Sequence, residues 1–318
     1  TNICSCKRRT ERLGGKPVGG PAASRYETLD VPVRGGLLHA GRWRPDAESE
    51  RESAGAPSVV LAVHGVTASH MNWAALAAGA PWLDVVAPDL RGRGGSAGLP
   101  GPAGLYQHAD DLLSLLDTLE LERVVVTGHS MGGLASVVFA DRYPGRVEKL
   151  VLVDGGLPLS APAGMSTDEI MNATLGPAAE RLSMVFDTRE NYREYWRSHP
   201  AFADGLDESM TAYFDYDIQE VPEGFASRVS LERVREDVAS QFAPDVLPPA
   251  LERLRVPAVF LRAPRGLFDE PQALYSREEA QEWEARLPLL SCRDIPDVNH
   301  YTILFDDRPI AIVAAELT

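Results

Sequence analysis

Apolar positions along the chain follow two alternating patterns. Short, largely apolar runs at Ser58–Val63, Leu83–Ala87, Arg123–Thr127, Val147–Val153, Val256–Leu261 and Leu289–Ile295 have the length and β-branched character of buried strands. Between them lie segments with helical spacing. In Leu105–Leu119 the apolar residues stand at 105, 109, 112, 113, 115, 116 and 119, which is one helix face. Asn72–Ala78, Met131–Tyr143, Arg277–Arg286 and Ile310–Glu316 read as further helices. Upstream, Thr28–Val33 and Leu37–Arg44 flank Arg34-Gly35-Gly36 and predict an antiparallel hairpin, and Ala47–Pro57 predicts a loop. Strands alternating with helices imply an α/β fold with a mainly parallel sheet covered on both faces.

The pattern breaks in two places. Residues 1–25 combine Lys7, Arg8, Arg9, Arg12 and Lys16 with a Gly/Pro-rich stretch. No apolar segment follows, so they read as a disordered leader rather than a secretory signal. From Leu157 to Ala243 no buried strand is evident, while methionines and aromatics concentrate in amphipathic pieces. This segment is expected to form a helical cap. The domain plan is then a leader (1–25), an α/β core (26–156 and 244–318) and a cap or lid (157–243).

Composition narrows the function classes. The 318 residues are 44% hydrophobic and carry a formal net charge of −15, so a phosphate-neutralising surface is not expected and nucleic acid is excluded as a partner. No apolar run approaches the roughly 18 residues of a membrane span. Cys4, Cys6 and Cys292 are the three cysteines, an odd and sparse set that implies reduced thiols. A cytoplasmic location is expected, with no metal or other cofactor and with room for a homodimer.

The chemistry concentrates at Gly128-His129-Ser130-Met131-Gly132-Gly133, between the apolar run Val124-Val125-Val126 and an apolar helix. A strand entering a helix through G-x-S-x-G is a nucleophile elbow, a turn tight enough to need small residues two before and two after the serine. Further motifs are Val63-His64-Gly65-Val66, Asp89-Leu90-Arg91-Gly92-Arg93-Gly94-Gly95-Ser96 and Asn299-His300-Tyr301.

With these four motifs in this order, the chain from Tyr26 onward resembles the α/β-hydrolase superfamily, in particular its serine esterase and lactonase branch with a helical cap. The resemblance implies that Ser130 is the nucleophile and that the backbone N–H groups of Val66 and Met131 form the oxyanion hole. His300, alone among seven histidines in following the last strand, is the expected general base. His64 is expected to brace its loop. The acid has two candidates. Asp154 directly follows the strand Val147–Val153 and is favoured; Asp269 sits in the loop after Val256–Leu261, three residues beyond the family's usual position. His70, Trp73 and Trp196 are expected to contact substrate. The implied activity is hydrolysis of a moderately hydrophobic carboxylic ester or lactone through an acyl-enzyme. Perhydrolase or thioesterase chemistry on the same triad, or a receptor-like binding role, are the alternatives.

Overall fold

The computed structural model describes residues 25–45, 59–159 and 164–318. The leader expected over 1–25 lies outside the described residues apart from Arg25, as does the Ala47–Pro57 loop.

Eight strands form the central sheet: β1 (Tyr26–Val33), β2 (Gly36–Trp43), β3 (Val59–Val63), β4 (Asp84–Pro88), β5 (Val124–His129), β6 (Val147–Val153), β10 (Ala258–Arg262) and β11 (Leu290–Asp294). Their order is β1-β2-β4-β3-β5-β6-β10-β11. The pairs from β4 to β11 are parallel, whereas the β1–β2 hairpin is added antiparallel along β4. Every residue of β4, β5 and β10 is buried, which is why these strands read as continuous apolar runs rather than alternating ones. The alternation survives as a division between two layers. Val124 and Val126 pack in the cluster with Leu112 and Leu134, while Val125 packs on the opposite face with Val85, Trp73 and Ile310.

Two expectations need correction. The helix expected from Asn72 is preceded by a 3-10 turn, His70–Trp73, and the α-helix proper is Ala74–Gly79. The segment between β6 and β10 is not purely helical. Beside helices Thr167–Arg181, Arg189–Arg197, Glu208–Asp217 and Leu231–Gln241 it holds strands β7 (Val185–Phe186), β8 (Ile218–Val221) and β9 (Gly224–Ser227), paired antiparallel in the order β7-β9-β8. These strands are too short for a period of two to register in the sequence. Gly224, at φ 140°, makes their turn, and a Cβ there would meet the Phe186 carbonyl oxygen at 2.4 Å.

The parallel strands end together: in the register His129, Val153 and Leu261 are neighbours across β5, β6 and β10. Open α/β sheets bind ligands beyond such carboxyl ends, and the chemistry-bearing loops gather there.

Candidate active site

Ser130 sits between β5 and helix Met131–Arg142, with φ 55° and ψ −127°, a conformation few L-residues adopt. Close packing imposes it. A Cβ on Gly128 would lie 2.3 Å from the Gly132 carbonyl oxygen, and one on Gly132 would lie 2.0 Å from that of Val63. The Ser130 N–H donates to the Val153 carbonyl (3.1 Å), tying the elbow to the end of β6. Met131 is the first residue of the helix, where N–H groups have no intrahelical acceptor and the helix dipole favours negative charge.

Asp154 follows β6 directly, also at positive φ (43°), and is fully buried. Its Oδ2 lies 2.6 Å from His300 Nδ1, and its Oδ1 accepts the Ala263 N–H at 3.0 Å. This leaves His300 Nε2 as the ring atom free of the carboxylate. Asp269 is placed differently. Its Oδ1 meets Asn299 Nδ2 at 3.0 Å and Arg265 Nε at 2.8 Å, and the His300 ring is held by Asp154.

The turn carrying His300 is braced on both sides. Asn299 Oδ1 accepts the N–H groups of Tyr301 and Thr302 at 2.9 Å, and its Nδ2 also donates to the Ala201 carbonyl at 2.9 Å. His129 Nε2–H donates to the His300 carbonyl at 2.8 Å, with the two rings 4.6 Å apart. Burial, then the nearby His300 charge, lowers the His129 pKa well below its ordinary value, so His129 is a neutral packing residue.

Gly65 approaches the elbow so closely that a Cβ there would be 3.2 Å from Ser130 Cβ, which brings the Gly65–Val66 turn beside the serine. His64 braces this turn. Its Nδ1–H donates to the Gly65 carbonyl (2.8 Å) and its Nε2 accepts the Leu90 N–H (2.9 Å). Burial lowers its pKa to about 4, which keeps this neutral tautomer.

The three residues expected to contact substrate lie inside packed clusters. His70 is fully buried, with Nδ1–H on Asp89 Oδ1 (2.9 Å) and Nε2 accepting from the Tyr26 hydroxyl (2.7 Å). Trp73 is fully buried in the layer beneath the sheet. Trp196 is 4% exposed, stacked on Phe214 with centroids 4.2 Å apart and with the Arg181 guanidinium 5.0 Å from its ring. Each fills a core rather than an open wall, because aromatic area gains most when both faces are covered. Sequence reading missed Asn299 as the brace of the His300 turn, although it stands inside a motif that reading singled out.

Among the described residues, ligand-type atoms of His39, His70 and Asp89 lie within 4.8 Å of one another. Asp89, however, already accepts His70 N–H (2.7 Å), His70 Nδ1–H (2.9 Å), Gly95 N–H (2.7 Å) and the Tyr216 hydroxyl (2.6 Å). Its lone pairs are taken, so the cluster fits a hydrogen-bonded hub better than a metal site. Tyr216 belongs to the segment between β6 and β10, so the hub also fastens that segment to the core.

This chain belongs to the Alpha/beta hydrolase family, which its residues 59–316 match. It is 35% identical to Lipase LipV of Mycobacterium tuberculosis over 41% of this chain and 48% of the lipase. To the 2-hydroxy-6-oxo-2,4-heptadienoate hydrolase of Pseudomonas putida it is 36% identical, over 33% of this chain and 40% of that enzyme. The aligned stretches span between 30% and 60% of the curated relatives' own lengths. Among solved structures, E-2-(acetamidomethylene)succinate hydrolase superposes with a TM-score of 0.71 at 18% identity, covering 92% of this chain and 97% of that one. Among the described residues, no helix is long and apolar enough to cross a membrane.

Proposed function

We propose that the protein is a serine hydrolase that cleaves a moderately hydrophobic carboxylic ester or lactone through an acyl-enzyme. The observation that carries this reading is the 2.6 Å contact of His300 Nδ1 with buried Asp154, beside an elbow that holds Ser130 at positive φ. In this mechanism His300 Nε2 accepts the Ser130 proton as Oγ attacks the acyl carbonyl. The N–H groups of Val66 and Met131 receive the developing oxyanion. The imidazolium, stabilised by Asp154, then protonates the leaving alkoxide, which for a lactone stays tethered to the acyl group as an alcohol. Water activated by the same histidine releases the acid and restores Ser130. Asp269 serves the loop and not the chemistry. The segment 157–243 acts as a lid whose apolar inner surface suits an uncharged small-molecule substrate; Leu157 and Met171 are buried in one cluster with Val66 and Met131.

Ser130→Ala tests the assignment. Turnover of p-nitrophenyl acetate should fall by at least about a thousandfold, as it does when a nucleophile is removed from a triad. Activity above about a tenth of the parent's would exclude Ser130 as nucleophile, because an acyl-enzyme cannot form without its oxygen.

A further inference from the structure

The Asp89–Ser96 loop holds two buried arginines with different duties. Arg91 pairs with Asp111 and donates to the carbonyls of Arg34 and Pro100, which fastens neighbouring loops. Arg93 faces the elbow side. Its guanidinium is fully buried, with Nε and Nη2 both donating to the Val66 carbonyl at 2.9 and 2.7 Å. Nη1 donates to the Arg91 carbonyl (2.7 Å) and pairs with Asp237 Oδ2 at 2.5 Å.

On the other side of Val66 Cα, the Gly65 carbonyl accepts His64 Nδ1–H at 2.8 Å and Ala68 N–H at 3.2 Å. The two peptide planes flanking Val66 are therefore both pinned by their oxygens. Because a trans peptide is planar, fixing the Gly65 C=O also fixes the Val66 N–H, which points the opposite way. Among the described residues that N–H has no protein acceptor. Asp237 lies on helix Leu231–Gln241, in the segment between β6 and β10, and its Oδ1 also takes Gly104 N–H (2.6 Å) and His108 Nε2–H (2.8 Å).

We propose that Arg93 is a positioning residue: its grip on the Val66 carbonyl fixes the peptide that follows Val66 Cα, so that, with the preceding peptide held through the Gly65 carbonyl, Val66 cannot turn and its N–H stays aimed at the acyl oxygen, and Asp237 makes that aim depend on how the inserted segment is seated. The inference rests on the serine-hydrolase reading and adds to it a device for tuning the oxyanion hole from the lid. A guanidinium suits the task because its planar fork grasps one oxygen with two N–H groups while a third meets a carboxylate. A donor aimed in advance costs no reorganisation when charge develops.

Arg93→Lys separates grip from charge. The ammonium can still neutralise Asp237 but cannot hold the Val66 carbonyl with a fork. Removing an oxyanion donor costs about a hundred- to a thousandfold in kcat, so a loosened one should cost about ten- to a hundredfold. The expected result on p-nitrophenyl acetate is that loss in kcat, with KM within about threefold of the parent, accompanied by a lower melting temperature because buried carbonyls lose donors. In 15N relaxation of deuterated protein, the order parameter of the Val66 amide should drop from the rigid value of about 0.85 toward the flexible range below about 0.6. The variant Arg93→Met/Asp237→Asn removes both charges together and should show the same kcat loss, which keeps the test available if the lysine does not fold. An unchanged kcat, a Val66 amide as rigid as the parent's, or a loss confined to melting temperature would each overturn the proposal. Turnover that survives Ser130→Ala would defeat the serine-hydrolase reading instead, and with it the catalytic half of the inference. The amide measurement would still decide whether Arg93 holds the loop.

Discussion

At Asp154 one carboxylate oxygen meets His300 Nδ1 while the other is occupied by the Ala263 N–H, so the group can turn neither way without losing a bond. An amide at that position presents a donor where the histidine needs an acceptor, which favours the wrong imidazole tautomer. Asp154→Asn should therefore lower kcat on the order of ten-thousandfold. Asp269→Asn should stay within about tenfold of the parent by the same reasoning, since Asp269 reaches the histidine only through Asn299. Steady-state kinetics on one activated ester checks both, and the opposite ranking would transfer the acid to the later loop. The elbow was legible in the sequence because its chemistry is local: a strand, a serine and flanking glycines within a few positions. Asp154 could be favoured, though not separated from Asp269, because position at a strand end is also local. The partnership of Arg93 with Val66 and Asp237 could not be read. It joins three distant stretches, and nothing near Arg93 tells which way its guanidinium folds back.

Among the elements, helix Arg189–Arg197 shows how an aromatic stripe can be mistaken for a binding wall. Tyr192 and Trp196 are its buried residues, four apart and hence on one face. Beneath them Arg181 pairs with Asp217, which also accepts from the Tyr192 hydroxyl. Trp196 closes this unit against Phe214 and Phe202 and reaches Tyr301 at 6.2 Å, next to His300. Trp196→Ala should consequently lower stability by about 3–5 kcal/mol, as for other large-to-small aromatic truncations in cores. The same variant should lose activity on acetate and on bulky esters alike. Denaturant unfolding alongside the two kinetic assays checks this. Unaltered stability with a selective loss on bulky esters would restore Trp196 to the substrate's surface. Its spacing in the sequence fits either role, because a helix stripe marks burial and does not say against what.

For the molecule as a whole, buried neutral histidines set the response to acid. Burial lowers the His64 pKa from 6.5 to about 4, and His199 moves the same way for the same main reason. Between those values the unfolded chain binds the proton and the folded one does not. Stability therefore falls as pH drops from about 6.5 to about 4 and loses nothing further from His64 below that. For His64 alone the full loss is up to about 3 kcal/mol. Asp237 acts in a lower window. Burial would raise its pKa, but the charges of Arg93 and His108 bring it down to about 2, so its contribution is present above the ordinary carboxylate range and is lost as pH falls toward 2. Urea midpoints at pH 7 and pH 4.5 should differ clearly in the parent and less in His64→Asn. Equal midpoints in the parent would contradict this account of the buried histidines.

Because Asp154 directly follows β6, the proposed nucleophile, its proposed acid and both proposed oxyanion donors are encoded in one uninterrupted stretch from Val66 to Asp154, ahead of the inserted segment. Of the proposed triad, only His300 comes from the chain that follows the insertion. Lengthening, shortening or exchanging that segment leaves the order of Ser130 and Asp154 untouched and acts on the site through two points, the delivery of His300 and the carboxylate offered to Arg93. The fold thus separates inheritance of the reaction from acquisition of its selectivity. On the proposed reading of the segment as a lid, it can be replaced provided its successor returns the chain to β10 and offers Arg93 a carboxylate.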